Sequence, residues 1–347
     1  MTMMIPVIMN TAFQRLGIID NYISFIWTTR FYTCGDFELV VTANANNFAL
    51  FKKDYYIVRD EDEHAGIIED IVLESDEDGQ EIMIVTGRFL SSILDRRIIA
   101  VQTTLDGTVS EGVNQLIDEN IMNPSITGRK IANFTVGDHN VTDELSAQYT
   151  GKNLLDVVTD ICKTYGVGMK TVLDSSHNFV FDLIEGVDHT YDQDVLPYVV
   201  FSDRYDNLLE SRYEEDYTNI VTAVLVAGEG EGLNRKTLWV ANRPTGLDRR
   251  EVYLDQRQLQ SNGGEIGSTA YNDLMRQAGK ERLTRYTAAF TGTVDFTNVK
   301  YRDDVNIGDL VVIENSKWGI YMNTRLVEVI ESVSETGDYK IVPTFGV

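Results

Sequence analysis

Residues 71–85, IVLESDEDGQEIMIV, have an echo near the other end of the chain in residues 327–343, VEVIESVSETGDYKIVP. Both read as strand, Glu-Ser, acidic turn, Gly, strand. Asp78-Gly79 and Thr336-Gly337 supply the positive φ that a tight turn between twisted strands demands, and Ile and Val dominate the flanks. Glu74-Ser75 stands one residue closer to its glycine than Glu331-Ser332 does, so the two copies are expected to differ in register by one inserted residue. Each copy also follows another β-rich segment, residues 55–59 and 309–314. The pattern is that of two related three-stranded meanders, and a repeat of this kind dictates architecture.

A chain of 347 residues is long enough for a sizeable core and for two to four domains. Its 54 acids against 30 bases leave a formal charge of −24, which repels phosphate backbones and anionic membrane surfaces. Residues 1–16 lack the basic start and sustained apolar core of a secretion signal, and no run approaches a membrane span, so a soluble protein made in a cytosol is expected. Cys34 and Cys162 make neither a disulfide framework nor a zinc spacing.

Along the chain, residues 22–33 and 37–42 read as an opening hairpin, residues 48–53 and 55–59 as further strands, and residues 60–63, DEDE, as a charged turn. A first antiparallel β-barrel over 1–104 would close these edges. The period then changes: Val113, Leu116, Ile117 and Ile121 follow Ser110, a candidate helix cap. Leu154, Leu155, Val157, Val158, Ile161, Cys162 and Tyr165 form a second apolar stripe ended by Gly166. With strands 168–173 and 178–184, residues 105–195 read as an α+β insertion. Residues 196–347 read as a second β-barrel, with a helical insertion at about 262–286. Ser268 is its expected cap, Tyr271, Leu274, Met275, Ala278 and Leu283 its apolar positions, and Arg285 its last residue. The fold class is mainly β, two related barrels plus smaller α/β parts.

No residues stand out in the sequence as catalytic, cofactor-binding or metal-ligating. Residues 228–232, GEGEG, resemble a phosphate loop, but Glu229 and Glu231 repel an anion and a strand follows, so a strand connection is expected. Gly151-Lys152 lacks the rest of a P-loop. His64, His139, His177 and His189 share no ligand spacing and read as surface residues. Asp60–Asp62 and Asp76–Asp78 offer oxygens that calcium favours, without the twelve-residue loop spacing, and read as solvated turns. Among 54 acids no glycosidase pair stands out, and no G-x-S-x-G occurs.

Residues 20–39 (DNYISFIWTTRFYTCGDFEL), 146–155 (SAQYTGKNLL), 205–217 (YDNLLESRYEEDY) and 226–235 (VAGEGEGLNR) together resemble the siphophage tail-hub family of phages and prophages of Gram-positive bacteria. The resemblance implies a structural protein at the tip of the virion tail, similar to the baseplate hub of contractile-tailed phages. It implies a homotrimer whose paired barrels present six modules to a sixfold tail tube. The implied partners are a distal tail protein ring, a tape-measure protein, and a tail fibre, spike or receptor-binding protein. DNA would pass through the lumen without specific binding, kept from sticking by lumen-facing acids, and the chain would not insert into membrane. With the second barrel reaching Val347, a fused lysin is not expected. The alternative reading is a cell-wall carbohydrate-active enzyme or cell-wall-binding module of the tail tip.

Overall fold

The computed structural model describes residues 4–75, 79–284, 287–296 and 298–346. In the first part of the chain run β1 (Val7–Met9), β2 (Arg15–Ile18), β3 (Tyr22–Arg30), β4 (Asp36–Thr42), α1 (Ala45–Leu50), β5 (Tyr56–Val58), β6 (Ala65–Ser75) and β7 (Glu81–Phe89). The first insertion holds β8 (Thr103–Thr108), α2 (Val109–Ile117), β9 (Phe134–Val136), β10 (Glu144–Tyr149), α3 (Leu154–Tyr165), β11 (Gly168–Leu173) and β12 (Phe179–Ile184). The remainder holds β13 (Val200–Ser202), β14 (Leu208–Asp216), β15 (Ala223–Ala227), β16 (Thr237–Val240), β17 (Glu251–Asp255), α4 (Ser268–Arg282), β18 (Thr287–Val294), β19 (Leu310–Asn315), β20 (Ile320–Ser334) and β21 (Tyr339–Gly346). Among the described residues, no helix is long and apolar enough to cross a membrane.

Thirteen strands form one continuous sheet in the order β14-β18-β21-β20-β3-β4-β7-β6-β5-β1-β2, with β19 on β20 and β13 on β19. Both meanders exist, as β5-β6-β7 and β19-β20-β21. The expected one-residue offset between them does not. Ser75↔Glu81 and Val333↔Tyr339 close turns of equal length, with Gly79 (φ 77°) and Gly337 (φ 80°) at the same place. Each first strand then carries one bulged residue at the same distance from the turn, Glu69 in β6 and Val327 in β20. The structural partner of Ser75 is therefore Val333, and the shared Glu-Ser dipeptide is out of step by one. A slip of one residue would exchange the two faces of the strand.

Among the described residues the hydrogen bonds do not close each module into a barrel of its own, and their path ends openly at β2 and β14. One edge of β20 serves two neighbours: its first half pairs β19 and its second half pairs β3 of the first module. The edge needed to close the second module on itself is thus occupied by the first.

Four clusters of buried apolar side chains follow this plan. Phe25, Trp27, Phe37, Leu39 and Val85 fill the first module, and Phe201, Phe290, Val311, Val329 and Phe345 the second. In the first insertion the stripes of α2 and α3 meet β8 and β10 and continue onto Ile67, Leu90 and Leu94 of the first module. Helix α4 packs on a sheet of its own, β16-β15-β17, through Tyr271, Leu274 and Met275.

Several local expectations are corrected. Residues 45–50 form a helix because the Asn44 side chain caps the Asn47 N–H at 2.9 Å, so no strand starts at Phe48. Thr108 caps α2 through a reciprocal box with Glu111, while the Ser110 hydroxyl accepts from the Val141 N–H at 2.6 Å. Gly267 occupies the cap position of α4 and Ser268 is its first helical residue. That helix ends at Arg282, and Arg285 lies outside the described residues. Helix α3 ends as expected at Gly166 with φ 70°.

Candidate functional site

Pairing of β3 with β20 brings Trp27 opposite Glu331, and with them the one position where an acid occupies the core face of the junction. Strand alternation puts Val329, Glu331 and Val333 on the same side. Glu331 is 1% exposed. A carboxylate there is tolerated only with cations and donors around it, and the two modules supply them jointly. Arg59 and Arg302 both bind Glu331 Oε2, and the Tyr339 hydroxyl donates to Oε1 at 2.7 Å.

Asp62 is the second acid of the cluster. Its Oδ2 accepts from Arg59 at 2.9 Å, Arg302 at 2.6 Å and Trp27 Nε1 at 2.9 Å, while Oδ1 lies 2.6 Å from His64 Nδ1. Burial alone would raise both carboxyl pKa values. For Asp62, the His64 hydrogen bond and the charges of His64, Arg59 and Arg302 outweigh it and hold the acid well below its ordinary range. For Glu331 the two arginines do the same. Two acids and two arginines, contributed by both modules and flanked by His64, form a largely buried lock.

Phe31, just past β3, is the second fixed point. Its N–H donates to Val327 O of β20 at 3.0 Å, and its carbonyl accepts from Met169 of β11 at 2.9 Å. The ring is fully buried, with the Arg325 guanidinium 5.1 Å from its centroid. A Cβ on Gly168 or Gly308 would fall 2.4 or 2.2 Å from it. Both modules and the first insertion therefore meet on one ring.

The residues singled out in the sequence fall as follows. His64 belongs to the lock, His139 is buried against Asp182 at 2.8 Å, and the His189 side chain is mostly buried, so only His177 is exposed at the surface. His177 stacks on Phe13. Asp60 pairs loosely with Arg15, Asp62 is occupied by cations, and Asp76–Asp78 lie outside the described residues. In the GEGEG loop Glu229 takes the place an anion would need: it accepts from the Ser261 N–H and hydroxyl and from Lys236, which lower its pKa to about 2. Cys34 and Cys162 are buried free thiols, both shifted up by burial, Cys162 to about 12. Among the described residues no group of His, Cys, Asp or Glu is placed to hold a metal ion.

A cleft of about 450 Å³ opens beside the lock, lined in part by Asp62, His64, Lys170, Tyr301, Arg302 and Asp309. Its two aspartates are committed to protein donors: Asp309 accepts from the Val187 and Asn306 N–H groups at 2.8 and 2.7 Å. Neither is left to act as a general acid or base.

The two insertions also touch, where Tyr149 donates to Glu281 of α4 and Gln277 donates to the same carboxylate at 3.2 Å. Burial raises the Glu281 pKa above its ordinary 4.5, only partly offset by these hydrogen bonds. A raised acid favours the folded state at low pH, and that contribution fades as pH climbs through 4.5 toward the folded value. Glu281→Gln keeps an acceptor for Tyr149 and removes the buried charge. Its melting temperature is expected to exceed that of the parent at pH 7–8 and to match it near pH 4, as read by circular dichroism.

Three solved structures share this fold over nearly the whole chain. The tail protein from Neisseria meningitidis MC58 has a TM-score of 0.59 at 16% identity, covering 99% of this chain and 96% of that one. The 43 kDa tail protein of Shewanella oneidensis prophage MuSo2 gives 0.54 at 14% identity, covering 99% and 97%. Prophage tail protein gp18 from Listeria monocytogenes EGD-e gives 0.53 at 11% identity, covering 98% and 94%. The architecture is thus that of phage and prophage tail proteins. The family model described as Siphovirus ReqiPepy6 Gp37-like protein matches residues 5–347, and the chain belongs to that siphovirus family. No curated protein matches the chain significantly.

Proposed function

We propose that this tail protein is the structural hub of the tail tip, a homotrimeric ring that joins a sixfold tail tube to a threefold tip and leaves a passage for DNA. The observation that carries the reading is the repeat: two meanders with equal turns and equivalent bulges, fused through one continuous sheet. Three copies of a chain with two such modules present six similar modules, the number a sixfold partner requires. On this reading a distal tail protein ring and the tape-measure protein bind above, and fibres, a spike or receptor-binding proteins bind below. With a −24 charge on each copy, those acids that face the lumen would repel passing DNA, within the roughly 8–10 Å over which salt leaves charges visible. On this reading the role is mechanical and not enzymatic, and the two aspartates of the cleft are spent on protein donors.

Light scattering on the purified chain is expected to give three times the 39.2 kDa chain mass, and micrographs a ring. A strict monomer over a wide concentration range, with no ring after the distal tail protein is added, would overturn the reading.

A further inference from the structure

The junction between modules is made once inside the chain, and each of its two halves is present again, unpaired, on the surface. Register makes β14 the counterpart of β3. Each pairs with the following strand of its own module, β18 or β4, and carries one bulged residue near its start, Leu209 or Ile23. The same register makes β6 the counterpart of β20. Inside the chain, β3 lies along the second half of β20, from Arg30↔Glu328 to Ser24↔Ser334. Among the described residues, positions 70–75 of β6 have no strand on the equivalent edge, and β14 has none on its outer edge.

Side chains along these edges are built for a neighbour. Leu73 occupies the position of Glu331, yet it is 51% exposed where Glu331 is 1%. The adjacent Val72 is 40% exposed, and Leu209 on β14 is 60%. Long edge strands with exposed apolar side chains pair with other chains unless something blocks them. Here donor edge and acceptor edge belong to the same chain and match in register, which identifies the occupant as a second copy.

We propose that β14 of one copy pairs antiparallel with residues 70–75 of β6 in the next copy, in the register that β3 uses on β20. This rests on the homotrimer reading and specifies its contact. Leu73 then faces Tyr213, which stands where Trp27 stands in the internal junction; Glu74 faces Arg212 and Ser75 faces Ser211. The Glu74–Arg212 pair is a favourable cross-strand contact, whereas Asp70 meets Asp216, so association strengthens as salt screens the acids. The two edges are different surfaces and the contact runs head to tail, closing into a ring in which internal and between-copy junctions alternate.

The test is disulfide trapping in the full-length chain. Glu74 and Arg212 are exposed, so Glu74→Cys/Arg212→Cys should fold as the parent does, and Cα atoms of directly opposed strand residues lie within disulfide reach. Mild oxidation is expected to convert the double variant to covalent trimers on a non-reducing gel, while a mixture of the two single variants stops at dimers. Glu74→Cys/Asp216→Cys, displaced along the same face, is expected to cross-link at least tenfold more slowly. Equal rates for both pairs, or no cross-linking of Glu74→Cys/Arg212→Cys in a protein whose light-scattering mass is trimeric, would overturn the edge and leave the homotrimer standing. A monomeric mass with no cross-linking would overturn both, and register-specific cross-linking supports the edge whatever the mass at that concentration.

Discussion

Glu331→Ala is expected to lose about 3–5 kcal/mol of stability, because removing one member of a buried ionic cluster leaves its partners charged and dry. The cost falls on Arg59 and Arg302, which would share the single carboxylate of Asp62. Arg59 is the more exposed to the loss, with its side chain 3% accessible against 28% for Arg302. Adding Arg59→Met to Glu331→Leu should restore most of the deficit, since Asp62 and Arg302 remain as a neutral pair and the methionine and leucine fill the vacated volume. Urea unfolding of the two single variants and the double, read as a thermodynamic cycle, measures the coupling directly. A Glu331→Ala loss below about 1 kcal/mol, or strict additivity in the cycle, would mean that the cluster does not lock the modules.

The same cluster sets an acid limit. Asp62 and Glu331 are held below their ordinary 3.8 and 4.5, so their contribution is complete above those values and is lost as pH falls through the lowered folded values. Glu281 works in the opposite direction at the contact between insertions. Mild acid therefore loosens the module junction before it loosens the insertions, and amide exchange at β3 and β20 against α4 between pH 3 and 5 distinguishes the two.

The meanders were legible in the sequence because the signals are local: a glycine at the turn and Ile and Val around it. Their true register was not, because the Glu-Ser pairs are identical by coincidence, whereas backbone pairing obeys turn length and bulge position. The alternation Val329, Glu331, Val333 was a usable sign that one acid faces the core. Its partners were out of reach, since Arg59, Asp62 and Arg302 come from distant parts of the chain and no spacing rule connects them. The two strands flanking the GEGEG loop were legible, but the third strand of the sheet beneath α4 was hidden for a related reason. Strand β15 pairs in parallel with β17, across a connection that gives no hairpin signature. The family resemblance, by contrast, extended over scattered strings and agrees with the family model that spans residues 5–347.

Phe31→Ala should cost another 3–5 kcal/mol, about the loss for truncating a fully buried phenylalanine to alanine. Its consequence should spread further than that of an ordinary core truncation. The vacated space would be bordered by Gly168 of the insertion and Gly308 of the second module, and neither has a side chain to move in. Arg325 would lose the ring beneath its guanidinium, although its hydrogen bond to Gly308 O survives. The backbone links from Phe31 to Val327 and Met169 would then remain without the ring packed between them. Limited proteolysis should accordingly cut the variant in the segments joining the insertion to the modules, near residues 97–103 and 185–199, well before cutting within β3 or β20. Phe31→Leu, which fills most of the volume, should show a loss of about 1 kcal/mol and little added cleavage. Equal cleavage of Phe31→Ala and the parent, despite the stability loss, would show that the ring supports only its own module and that another contact fixes the three bodies together.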